Sequence, residues 1–238
     1  MPTPTRSRST LLWTLTGALV LCLSCLLGGW WLGRRQAPVP VVDGRRLALV
    51  QESDLLRAKE LRGEASDADR QRYLEVLVGL DRRGEAIAML EPMADREPDR
   101  WSLRLMLAEL RHAQGDNAGA ERELRQILHR TPAQVEALQL LSLIQLEQGQ
   151  AAVAEAGVMA VYGGLIRPEP KPEALGIGLL LAELQQKRGE APAAGTTYEE
   201  LATGFPSDQC PLIGLALLRH SRGDGPGAMA ALDLARKR

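Results

Sequence analysis

Residues 84–132 read GEAIAMLEPMADREPDRWSLRLMLAELRHAQGDNAGAERELRQILHRTP. Within them Ala86, Leu90 and Pro98 are echoed by Ala120, Leu124 and Pro132, each 34 residues later. The echo continues down the chain. Gly115, Gly149, Gly189 and Gly223 stand 34, 40 and 34 apart, and Ala120, Ala154, Ala194 and Ala228 follow them by five. A period of this length belongs to stacked helix-turn-helix units. The physics of the spacing is direct. A glycine closes one helix because it tolerates the left-handed conformation that terminal carbonyls need. Five residues on, a small alanine lets the next helix approach closely, and a proline opens the following one without losing a hydrogen bond. Two antiparallel helices of this kind cannot bury their own apolar face, so stacking supplies the missing core.

At these residues the chain resembles a tetratricopeptide-repeat (TPR) protein, over Ser66 to Arg238. Counting back from the alanines gives units near 67–100, 101–134, 135–168, 175–208 and 209–238, within a repeat domain of 66–238. The resemblance implies an all-α, right-handed α-solenoid of about five helix-turn-helix units. The seventh place of each first helix holds Tyr73, Leu107, Leu141, Leu181 and Leu215, and the eighth, which the pattern keeps small, holds Leu74, Ala108, Ser142, Ala182 and Ala216. The large core place of the second helices holds Leu90, Leu124, Val158, Tyr198 and Leu232. The departures are Asp81 where glycine is expected, Pro92 inside a second helix, Leu74 in a small place, and six extra residues from Glu169 to Ala174. A non-repetitive helical bundle is the competing fold.

Ahead of the repeats lie a polar tail (1–10) and an uncharged apolar run (11–33). About 20 apolar residues suffice to cross a bilayer as a helix. Trp30, Trp31, Arg34 and Arg35 have the character of an interfacial belt. A retained transmembrane helix is the expectation, and a cleaved signal peptide is the alternative, although the run ends in bulky rather than small residues. Cys22 and Cys25 form a CxxC inside this run, where they serve as small side chains in hydrocarbon. Arg6 and Arg8 precede the run, while Arg34, Arg35, Arg45 and Arg46 follow it. That balance favours a cytoplasmic repeat domain. A linker with a stalk or capping helix fills 34–64, its helical part from Gly44 to Arg62.

The 238 residues carry a net charge of -1 and no basic stripe with interleaved aromatics, so nucleic acid is not an expected partner. Aromatics are only 3%, which makes the core aliphatic. His112 and His220 share one place in units two and five, too far apart to hold a single metal ion. Glu121, Glu123, Glu199 and Glu200 have neighbouring arginines and solvate helix surfaces. No catalytic constellation, cofactor motif or metal set emerges, and an enzyme is not expected.

In the TPR family the first helices line a concave groove. The resemblance therefore implies a partner-binding stripe at Gln71, Glu75 and Val78; Leu105, Glu109 and His112; Gln139, Leu143 and Leu146; Leu179, Glu183 and Gln186; and Ile213, Leu217 and His220. These are an apolar trough edged by acids. The lysines and asparagines with which chaperone-binding members grip a C-terminal carboxylate are absent from these places. A protein or peptide segment with apolar anchors and some basic residues suits the stripe better. The alternative is that its leucines are packing residues. The expected function is a membrane-anchored TPR adaptor for protein–protein interaction in assembly or maintenance of a membrane complex. Two other readings stand beside it: a self-associating scaffold that is a homo-oligomer through its C-terminal end, and an envelope-facing assembly factor for secretion, pili or cytochrome maturation.

Overall fold

The computed structural model describes residues 44–238, which form eleven α-helices and no strand. The expected tail and membrane-crossing run lie outside the described residues, and no described helix is long and apolar enough to cross a membrane. Helix α1 (Gly44–Leu61) precedes the repeats. First helices α2 (Asp67–Gly79), α4 (Trp101–Ala113), α6 (Val135–Glu147), α8 (Glu173–Lys187) and α10 (Cys210–Ser221) alternate with second helices. The second helices are α3 (Arg83–Arg96), α5 (Asn117–Arg130), α7 (Ala151–Ile166), α9 (Ala191–Gly204) and α11 (Gly225–Ala235). Each helix packs on the next in sequence, and α6 also touches the first helices on either side, α4 and α8. The result is a TPR-like solenoid in which the first helices α4, α6 and α8 touch one another in one layer.

One turn recurs between every pair. Gly115, Gly149, Gly189 and Gly223 have φ of 83°, 76°, 80° and 80°. The residue after each reaches back five positions, as in Asp116 N–H to Arg111 C=O (2.9 Å), Gln150 to Gln145 (2.7 Å) and Glu190 to Gln185 (2.8 Å). This closure satisfies carbonyls that a helix end leaves open and reverses the chain. Asp81, the departure from the glycine pattern, adopts the same left-handed conformation at φ 61°, and Arg82 N–H reaches Leu77 C=O at 2.8 Å. Aspartate is among the few side-chain-bearing residues that tolerate this region.

The alanines that mark the repeat, Ala86, Ala120, Ala154, Ala194 and Ala228, are all buried. Leu90 packs with Leu103 and Leu107 of the following first helix, and Leu124 with Ala137 and Ile144. Val158 packs in the same way with Ile177 and Leu181, and Tyr198 with Leu215 and Leu218. Two of the three buried tyrosines need glycines opposite: a Cβ on Gly178 would lie 2.6 Å from the Tyr162 ring, and one on Gly214 2.5 Å from Tyr198. Leu232 breaks the pattern. Expected as core, it is 43% exposed, because no first helix follows α11 among the described residues.

The other departures have local accounts. Pro92 sits on the exposed side of α3, where the helix runs through it. The six extra residues are divided: α7 is two residues longer than α5, α8 starts two residues before Leu175, and the connecting loop gains the remaining two. Leu74, large where the pattern is small, shares a cluster with Leu56 and with Leu49 and Val50 of α1. Helix α1 is held on α2 by Arg72 with Glu52 (2.7 Å), Arg70 with Glu60 (3.1 Å) and Lys59 with Asp69 (2.7 Å). Asp69 also completes a capping box with Ser66.

Two measurements follow. Asp81→Gly removes the left-handed penalty and should raise unfolding free energy by about 0.5 kcal/mol, whereas Gly149→Val should lower it by about 1–2 kcal/mol; denaturant titration reads both. The Lys59 ammonium, then the Ser66 hydroxyl and N–H, hold Asp69 down from 3.8 to about 2. Its folded-state value lies below its unfolded one, so its stabilising contribution is complete above the unfolded value and disappears as pH falls through the folded one. Asp69→Asn should therefore be less stable than wild type at neutral pH, and the gap should close near the bottom of that window.

Candidate partner-binding face

The fifteen stripe residues all lie on the first helices, and none is buried. Val78, Leu143, Ile213 and Leu217 are exposed at 48%, 44%, 41% and 66%, together with Gln71, Glu75, Glu109, Gln139, Glu183 and His220. Leu105, His112, Leu146, Leu179 and Gln186 are half-buried. Both readings of the leucines therefore apply, each to different residues. Leu105 packs against the cluster around Leu124, and Leu179 packs against two clusters at once. Leu143 and Leu217 are open.

A row across the layer, one residue per unit, reads Glu75, Glu109, Leu143, Glu183 and Leu217. Glu75 is paired with Arg72 (3.1 Å) and Glu183 with Lys187 (2.8 Å), both on the surface. Glu109 has no partner among the described residues. His112 is more confined than a groove-lining histidine. Its Nδ1–H donates to Asn117 Oδ1 (2.8 Å), and its Nε2 lies 3.6 Å from Glu147 of the next unit. Gln186 is likewise tied down, donating to the Tyr198 hydroxyl at 2.8 Å. No group of three or more potential metal ligands exists among the described residues. Cys210 is exposed, and the adjacent Asp208 carboxylate pushes its thiol up, away from the reactive thiolate.

Four clefts among the described residues lie away from this stripe. One is bounded by Arg167, Pro168, Pro170, Thr196 and Thr203, and another by Glu60, Tyr73, Met89 and Pro92. The stripe offers a broad surface for a segment rather than a hole for a small molecule.

Sequence reading missed the ion pairs that join the helices within and between units. Arg104 of α4 donates to Glu123 of α5 (2.8 Å) and to Asp95 of α3 (3.1 Å), at a site where the arginine and Glu123 are 9% and 7% exposed. Seven residues on, Arg111 bonds Glu91 of α3 and Asp116 (3.1 Å). The Arg111–Glu91 pair recurs 108 residues later as Arg219–Glu199 (2.9 Å), with the same separation of 20 in sequence. That recurrence was the available signal. Buried Glu155 joins Arg188 across units three and four. Between units two and three the equivalent residues are Gln145 and Arg125, and the polar links are His112 with Glu147 and Gln148 with Glu121 (3.0 Å).

A tetratricopeptide-repeat family model matches residues 77–144. No curated protein matches the chain. Among solved structures, BtubC (BKLC) from P. vanneervenii aligns over 83% of this chain and 90% of its own, at 14% identity and a TM-score of 0.53. A tetratricopeptide repeat protein from Parabacteroides merdae aligns over 78% and 71%, at 19% identity and a TM-score of 0.51. MamA aligns over 73% and 94%, at 15% identity and a TM-score of 0.48. Residues 77–144 thus carry repeats of the tetratricopeptide type, and the likeness of the remainder is one of fold. Such repeats generally mediate protein–protein interaction.

Removing one side of the buried pair should separate its energetics from those of the surface pairs. Glu123→Ala leaves Arg104 desolvated with Asp95 alone and should cost about 2–3 kcal/mol, whereas Glu199→Ala, at a pair more than half exposed on the acid side, should cost under about 1 kcal/mol. Urea unfolding of the two variants decides it.

Proposed function

We propose that this chain is a membrane-anchored TPR adaptor whose first-helix face binds another protein during assembly or maintenance of a membrane complex. The observation that carries this reading is the open pair Leu143 and Leu217, exposed at 44% and 66% in a row whose other members are carboxylates. Apolar anchors flanked by acids suit an amphipathic or extended segment with apolar side chains and basic neighbours. Support for the anchor comes from the uncharged run at 11–33 and the tryptophans and arginines that follow it. The arginine balance favours the cytoplasmic side for the repeats.

The surface that tests this is narrower than the full stripe. Leu179 is half-buried against two clusters, so a charge there damages packing and reports nothing about binding. Leu143→Glu with Leu217→Glu changes two open positions instead. Tagged full-length protein, mildly crosslinked and purified from native membranes, should bring down a stoichiometric subunit of a membrane complex. The double variant should lose that subunit while its circular dichroism is unchanged. Recovery of the protein alone, or equal recovery with the double variant, would remove the adaptor reading.

A further inference from the structure

A surface helix turns its charges outward, and α7 reverses this. Its one charged residue, Glu155, is 3% exposed and bonded to Arg188 at the joint with unit four. Its outer side carries Val153, Ala156, Met159, Ala160, Gly163 and Gly164, and none of its exposed residues has a polar side chain. Val153 and Met159 are 54% and 45% exposed. The places of Met159 and Gly163 hold Glu91 and Asp95 in α3, Arg125 and His129 in α5, and Glu199 and Thr203 in α9, all of them exposed. A helix that is apolar all round belongs in an interior.

The glycines point the same way independently. Gly178 and Gly214 make room for tyrosines, but a Cβ on Gly157, Gly163 or Gly164 would meet nothing within 4 Å. Glycine is disfavoured relative to alanine inside a helix. Three of them with no neighbour among the described residues to accommodate mark a surface that another backbone approaches closely.

The flanks decide what approaches. Gln148, at the entry to α7, bonds Glu121 of α5, and Tyr162 of α7 bonds Glu200 of α9, so these helices lie to either side. Helix α5 exposes Arg122, Arg125 and Arg130 and no acid, whereas α9 has Glu199 and Glu200 and no basic residue. Half a turn about a line along α7 sets a second copy's α7 on the first and brings the arginine flank of each against the glutamate flank of the other. Such a contact is isologous and closes on itself. Glu199 and Glu200 are already bonded to Arg219 and Arg167 at the surface, so charge sets the orientation and the apolar strip supplies the contact. A bilayer would take leucine and aromatic side chains, which the exposed side of α7 lacks.

We propose that a second copy of this chain docks on the exposed side of α7, the two α7 helices running parallel and meeting at Ala156, Met159, Ala160 and Gly163. The site is separate from the first-helix stripe. The test is sedimentation velocity of the full-length protein in detergent over a range of concentrations. A monomer–dimer equilibrium is expected, weakened at least about tenfold by Met159→Glu with Gly163→Asp, which set like charges against each other across the axis. The Leu143→Glu, Leu217→Glu pair should leave it unchanged. Thr196→Arg, which adds a cation to the flank facing Arg122 of the other copy, should weaken it about threefold. The first pair of substitutions installs the residues that α3 holds at these places, so its thermal unfolding should match that of wild type, which separates loss of docking from loss of fold. A monomer at every concentration overturns the proposal, as does a dimer indifferent to Met159→Glu with Gly163→Asp. A monomer that loses a co-purifying protein with the same two substitutions also overturns it and assigns the face to a different partner.

Discussion

Each second helix from α3 to α9 is finished by a helix that belongs to the next unit. The large residue on its outward side, Leu90, Leu124, Val158 or Tyr198, is buried only when the following first helix arrives. Burying such a side chain is worth about 1.5–3 kcal/mol, so no unit stands alone and the stack is the smallest stable object. The left-handed turns and the marker alanines serve this one contact. The turn at Gly115 and its equivalents reverses the chain within a few residues, and the alanines let the two helices of a unit approach closely enough to present a shared face.

The same contact explains why some residues were legible from sequence and others were not. Gly115, Ala120 and Leu124 repeat because backbone conformation and close packing admit few residue types, and their spacing alone set the helix order. Asp81 was read as a departure, yet it performs the glycine's conformational task at φ 61°. Leu232 was read as core because it holds a core place; identity in the register does not supply the neighbour that does the burying. His112 was placed on the stripe by periodicity, and its capture between Asn117 and Glu147 depends on a neighbouring unit that periodicity does not describe.

The ionic joints show the opposite limit. Glu123 looks like an ordinary solvated helix charge in a one-dimensional reading, because arginines neighbour it in sequence. Folding of the second unit brings Arg104 and Glu123, 19 residues apart, together from α4 and α5 and removes them from water. A buried pair of this kind adds little net stability relative to an apolar pair, but the arginine's two carboxylate partners on different helices fix where α4 sits between α3 and α5. Register, more than adhesion, is what these charges contribute.

The joints are also unequal. Arginine–carboxylate pairs cross from unit one to two, three to four and four to five, while units two and three are linked by a histidine–glutamate contact and a single amide hydrogen bond at the surface. In a linear array the free energy is a sum of unit and nearest-neighbour terms, so partial opening divides the molecule at its weakest coupling. The ionic ties thus divide the domain into two blocks in series, α1 to α5 and α6 to α11, joined chiefly by the apolar cluster of Leu124, Ile127, Ala137 and Ile144. A ligand lying across both blocks would span a seam closed by packing rather than by charge.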